Sequence, residues 1–132
     1  MRIFIYEADL VRHVDGDTTV FDIDQGMNVW SMNQYVRYAG INAPEMHGPT
    51  ASEGVAARDY LETLINVGDH LWLATVEYHE HEKYGRVLAV VYTATPTQFN
   101  WADASLEALM PGSVNQEMLD SGHAVEYNPD NL

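Results

Sequence analysis

Hydrophobic and polar positions alternate along the first third of the chain. Residues 2–14 are rich in Ile, Phe, Tyr and Val, and Phe21 and Ile23 alternate with Asp22 and Asp24. A period of two places one face against a core and the other in water, which predicts strands. Asp24-Gln25-Gly26-Met27-Asn28 reads as a turn, and Trp30 to Gly40 as a returning strand. The period then changes. Ala57, Leu61, Leu64 and Ile65 fall at i, i+4, i+7 and i+8, one stripe of a helix. Thr50 and Glu53 have capping-box spacing at its start, and Gly68 is placed to end it. Leu71 to Val76 predicts a strand, and Val87 to Tyr92, apolar at both parities, a strand covered on both faces. Asp103 to Met110 predicts a short helix stopped by Pro111-Gly112. Ser113 and Gln116 cap a second one that ends near Gly122. The order is β-β-β-α-β-β-α-α, an α+β arrangement. Five strands with a helix between the third and fourth predict a five-stranded OB-fold barrel.

A length of 132 residues and a hydrophobic content of 46% suit one domain, 1–132, with a single core. The chain has no cysteine, which excludes disulfides, zinc-thiolate sites and thiol nucleophiles. Its first apolar run is too short for a signal peptide, and no stretch is long enough to span a bilayer. The expectation is therefore a cytoplasmic protein with no membrane partner. The acid-rich, lysine-poor composition fits a GC-rich or high-salt source, a virus among them. Charge complicates the picture. Twenty Asp and Glu face six Lys and Arg, a formal net charge of -14. That balance excludes a tight non-specific nucleic-acid binder, whose affinity comes from neutralising phosphate. It does not exclude an enzyme that makes a brief contact with help from a bound cation.

Three segments carry chemistry. Asp15-Gly16-Asp17-Thr18 lies at the junction of the first two strands. Its carboxylates at i and i+2 point the same way from an extended chain, and hard divalent cations prefer such oxygens. Arg37 and Gly40-Ile41-Asn42-Ala43-Pro44-Glu45 close the third strand with a guanidinium, an amide and a carboxylate. Lys83-Tyr84-Gly85-Arg86 leads into the fifth strand, and an arginine fork matches two phosphate oxygens. Taken singly, each segment also reads as an ordinary turn or strand exit. Together they supply the parts for phosphodiester hydrolysis: a cation site, two arginines for the charge growing at phosphorus, and Glu45 to orient or deprotonate water.

In that order, with a helix between the second and third, these segments resemble the staphylococcal nuclease (thermonuclease) family. Val114-Asn115-Gln116-Glu117-Met118-Leu119 and Gly122-His123-Ala124 extend the resemblance. The resemblance implies a calcium-dependent endo- or exonuclease acting on DNA or RNA and leaving 3′-phosphate ends. It implies calcium ligands at Asp17, at Asn42 and at the Ala43 carbonyl, with Asp15 behind them. It further implies catalytic arginines at Arg37 and Arg86 and a general base at Glu45. Two departures stand out. Asn42 is neutral where the family has an aspartate, and residues 95–112 read as a family-atypical insertion. Leu106, Leu109 and Met110 within it either form an apolar patch for a homo-oligomer or cover one end of the barrel. The rival functions are a catalytically weak or inactive OB-fold nucleic-acid-binding module and an oligomeric protein-interaction domain. His79 and His81 read as part of a solvated hairpin loop, and Trp30, Trp72 and Trp101 as core or interface packing.

Overall fold

A computed structural model describes residues 3–76, 86–97 and 104–127. Three antiparallel strands open the chain: β1 (Phe4–Asp15), β2 (Thr18–Asp24) and β3 (Trp30–Tyr38). A two-residue strand β4 (Ile41–Asn42) and a 3-10 turn (Gly48–Thr50) lead into helix α1 (Ala51–Leu64). Then come β5 (His70–Thr75), β6 (Val87–Tyr92), α2 (Leu106–Leu109), α3 (Val114–Asp120) and a short β7 (Val125–Glu126). Five strands close a barrel in the order β1-β2-β3-β6-β5, and β4 pairs with β7 beside it. The β3–β6 contact is parallel and the others antiparallel. This is the expected OB-fold α+β architecture.

β1 closes the barrel because it serves two neighbours. Residues 4–9 pair with β5 and residues 7–15 with β2. Register shifts at Leu10/Arg12 and His13/Asp15 bend the strand between those duties. Tyr38, Phe21, Leu73, Val36 and Leu61 are fully buried, so the core is the barrel interior with α1 laid across one opening. Glycine lets the helix come this close. A Cβ on Gly16 would lie 2.8 Å from both the Ala43 and Ala57 methyls, and one on Gly54 would lie 2.3 Å from the Glu45 carbonyl oxygen.

Several boundaries differ from the sequence expectation. Thr50 does not cap α1 with its side chain; its hydroxyl donates to the Glu45 carbonyl at 3.0 Å. The helix ends at Leu64, before Gly68, because Ile65 turns to extended backbone and buries its side chain. Gly68 instead sits in the following turn, where its N–H donates to the Leu10 carbonyl at 2.9 Å. α2 starts at Leu106, since Ser105 caps it by accepting from the Ala108 N–H at 3.1 Å. Ser113 caps α3 as its spacing predicts. Leu106, Leu109 and Met110 are buried in the core, so they do not form an exposed apolar patch. The sequence reading has no counterpart for β4 and β7, which are too short to carry a period. His79, His81, Lys83, Tyr84, Gly85 and Trp101 lie outside the described residues. No described helix is long and apolar enough to cross a membrane.

Candidate active site

The turn from β1 to β2 sets Asp17 against the end of β3. Thr18 is the register partner of both Asp15 and Arg37. The Asp17 carbonyl accepts from the Tyr38 N–H at 2.9 Å, and the Asp15 carboxylate accepts from the Asp17 N–H at 3.0 Å. The Asp17 side chain is thereby turned inward and is only 10% exposed. Its Oδ2 accepts from the Ala43 N–H at 2.8 Å and lies 3.5 Å from Arg37 Nη2. Its Oδ1 accepts from the Thr18 hydroxyl at 3.3 Å.

Burial lifts the Asp17 pKa from its ordinary 3.8 to about 6. Arg37 pulls against that rise, Asp15 adds to it through a hydrogen bond and its charge, and the Ala43 N–H offsets a little. The carboxylate is thus short of positive charge despite an arginine at its side.

Arg37 clasps the turn that follows it. Its Nη1 donates to the carbonyls of Tyr38 and Ile41, each at 2.9 Å, across the reversal at Gly40, where φ is +79°. Its Nη2 donates to Asn42 Oδ1 at 3.1 Å, and the Tyr127 ring lies over the guanidinium at 5.8 Å. Tyr127 is held there because its N–H donates to the Gly40 carbonyl at 2.9 Å and β7 pairs with β4. On the other side, Arg86 at the mouth of β6 reaches the Thr18 hydroxyl at 3.4 Å.

Asp15, Asp17, Arg37, Asn42 and Ala43 therefore form one hydrogen-bonded group, and Thr18 connects Arg86 to it. Glu45 is not joined to this group by any side-chain contact among the described residues: its carbonyl accepts from the Thr50 hydroxyl at 3.0 Å. Its side chain is 75% exposed, with His47 at 4.0 Å. A model of the staphylococcal nuclease homologue family matches residues 35–131. The chain belongs to that family. The match begins after Asp15 and Asp17, and the β2–β3 register is what carries those two carboxylates to the family segment. No curated protein matches the chain.

The family is generally calcium-dependent, and the oxygen donors can be tested against that cation. A carboxylate, an amide oxygen and a backbone carbonyl are the hard ligands calcium takes. Asp17, buried and short of positive charge, gains from a cation beside it. The set fits in kind and is poor in charge: among the described residues no three His, Asp or Glu side chains are grouped to hold a metal. Asn42, moreover, already shares its oxygen with Arg37.

Sequence reasoning missed the supports. Behind Asp17, Tyr38 and His13 both bond the Thr19 hydroxyl, at 3.0 and 2.8 Å, and His13 Nε2 donates to the Ile65 carbonyl at 2.9 Å. That chain ties the barrel wall to the end of α1. His13 and His123 were isolated in sequence, yet His123 stacks on Tyr60 of α1 at 4.7 Å. His70 bridges Asp9 and Glu7 at 2.7 and 2.8 Å, and those bonds raise its pKa. Cross-strand register and helix-on-barrel packing bring such partners together, and a linear sequence prints neither.

Proposed function

We infer that the chain is a calcium-dependent phosphodiesterase that hydrolyses DNA or RNA, with residues 1–132 acting as one domain. The convergence of Asp17, Arg37, Asn42, Ala43 and Arg86 at one end of the barrel carries this reading. Asp17, Asn42 and the Ala43 carbonyl would hold the calcium, with Asp15 steadying the Asp17 backbone. A calcium ion held there would supply positive charge beside a phosphoryl oxygen. Arg86 and Arg37 take up the charge that grows on the phosphoryl oxygens as water adds to phosphorus. Glu45, whose exposed side chain is free to turn toward the site, receives the proton of that water. The bond from phosphorus to the 5′ oxygen breaks, that oxygen takes a proton from solvent, and a 3′-phosphate and a 5′-hydroxyl remain.

Two observations favour a second reading, a nucleic-acid-binding module with little catalysis: Arg37 already holds the Asn42 oxygen, and the chain carries a net charge of -14. One experiment separates the two. Plasmid and single-stranded DNA are incubated with the protein in calcium or in EGTA. Degradation in calcium alone, reduced by about 10²-fold or more in Glu45→Gln, is the expected result. Intact DNA with measurable binding supports the module. Equal rates in wild type and Glu45→Gln remove Glu45 from the mechanism.

A further inference from the structure

Arg12 serves neither the barrel interior nor the group around Asp17. It is an exposed residue of β1, and strand register fixes its neighbours: Arg12 pairs with Val20 on β2, and Val20 with Tyr35 on β3. Arg12 Nη2 donates to the Tyr35 hydroxyl, and its guanidinium carbon lies 5.3 Å from the centre of the Tyr35 ring. Val20 lies between them on the outer face, since Phe21 beside it turns into the core, yet Val20 is buried. An arginine stem and a tyrosine ring explain that cover. They do not explain the charge. The chain holds twenty Asp and Glu against six Lys and Arg. Arg37 lies against Asp17, and Arg58 against Asp59 and Glu62. Among the described residues no carboxylate is in ion-pair reach of Arg12, and its side chain bonds a neutral hydroxyl instead. That hydroxyl steadies the guanidinium and leaves most of its five N–H donors free.

Position points to the ligand. Alternate residues of a strand share a face, so Tyr35 and Arg37 stand on the same side of β3, about 7 Å apart. Val20 and Thr18 do the same on β2, where Thr18 pairs with Arg37 and its hydroxyl receives Arg86. Arg12 is therefore one step along the outer face from both arginines of the candidate site. Past Arg12 the sign of the surface reverses. The next outward residues of β2 are Asp22 and Asp24, paired with Asp9 and Glu7 on β1.

Resting on the phosphodiesterase reading above, we propose that Arg12, held by Tyr35, binds the phosphate next to the scissile one in a nucleic-acid strand. Its free donors match two phosphate oxygens. The strand crosses the outer face of β2 from Arg37 to Arg12, and the acidic rows beyond turn it away from the barrel. Arg12 and Tyr35 thus set how far substrate is gripped on this side of the reacting linkage.

Hydrolysis of a single-stranded oligonucleotide is compared with that of a dinucleoside monophosphate, which has no neighbouring phosphate for Arg12 to bind. In Arg12→Gln the Michaelis constant for the oligonucleotide is expected to rise about tenfold. Turnover stays level, and the gap from wild type narrows as salt is added. The loss is confined to the oligonucleotide. A similar loss on both substrates, or on neither, overturns the proposal. A wild type that cuts neither substrate refutes the hydrolytic reading by itself. Fluorescence anisotropy of the labelled oligonucleotide then decides on Arg12, with binding about tenfold weaker in the variant as the expected result. Equal affinities, or no binding by wild type, overturn the proposal. Should Arg12→Gln fail to fold by circular dichroism, Tyr35→Phe takes its place, since it keeps the ring over Val20 and removes the hydroxyl that steadies the guanidinium. A loss of about threefold on the oligonucleotide alone is then expected, and a loss on both substrates or on neither overturns the proposal.

Discussion

At the scale of single residues, Asp17 sets function against stability. Its carboxyl has an ordinary pKa of 3.8 and a folded value of about 6. Below the lower value both states hold the proton. Between the two, the unfolded chain ionises while the folded one does not, so stability falls as pH rises. Above about 6 the full cost of an ionised, buried carboxylate remains. Asp17→Asn removes that cost while keeping an oxygen for the Ala43 N–H. Arg37 keeps its carbonyl partners at Tyr38 and Ile41. The variant is expected to match wild type near pH 4 and to exceed it, by on the order of 2 kcal/mol, near pH 8. Thermal melts in EGTA across that range measure the difference. Nuclease activity is expected to vanish in the same variant, because the carboxylate that destabilises the fold is the one that would hold the cation. A melting difference that does not change with pH would contradict the burial argument.

At the scale of elements, the contact between α1 and the β1–β2 turn fixes the loop that bears Asn42, Ala43 and Glu45. Gly54 allows the first turns of α1 to lie directly on the Glu45 backbone. In Gly54→Ala the new methyl meets the Glu45 carbonyl oxygen at 2.3 Å and its carbon at 2.5 Å, and both are backbone atoms that cannot swing aside. Helix propensity alone would favour alanine by about 1 kcal/mol. Overpacking of about 1–3 kcal/mol acts against it. Denaturant unfolding is expected to show a net loss, and activity is expected to fall further than stability because the Glu45 loop is displaced. A stabilised variant of full activity would show that the loop moves freely. The same contact marks how far the sequence can be read. The apolar stripe at Ala57 and Leu61 was legible, as were the five barrel strands, because burial imposes a period. Asp15, Asp17, Arg37 and Asn42 were legible as candidates through their order. The clasp made by Arg37, the cover given by Tyr127 and the chain from Tyr38 to His13 were not. The clasp is local in sequence but needs the reversal at Gly40, where φ is +79°; the other two depend on which strand lies beside which, and on pairs such as β4–β7 that are too short to leave a pattern.

At the scale of the whole molecule, a net charge of -14 must be reconciled with the nucleic-acid substrate proposed above. Arg37 and Arg86 provide local attraction at the site, and their reach is a few ångströms in a partly buried setting. The remaining acids repel the nucleic acid over a Debye length, which shrinks from about 30 Å to about 10 Å between 0.01 M and 0.1 M salt. A basic binder loses affinity steadily over that interval, since each neutralised phosphate releases counterions. In this chain the two effects oppose each other. Screening removes long-range repulsion first, because the repelling acids are spread over the surface and the attracting arginines are close and partly desolvated. The Michaelis constant for DNA is therefore expected to fall, or stay level within about twofold, as salt rises from about 0.01 M to about 0.1 M at fixed calcium. It should rise only at higher salt, where the arginine–phosphate contacts themselves weaken. Turnover at saturating DNA is expected to change little, because Arg37 and Asp17 are held by hydrogen bonds of 2.8 to 3.1 Å in a largely buried setting. Steady-state kinetics over the salt series tests both parts. A steep rise in the Michaelis constant already below 0.1 M would mean that a basic surface beyond Arg37 and Arg86 carries the substrate, and that the acidic surface lies clear of its path.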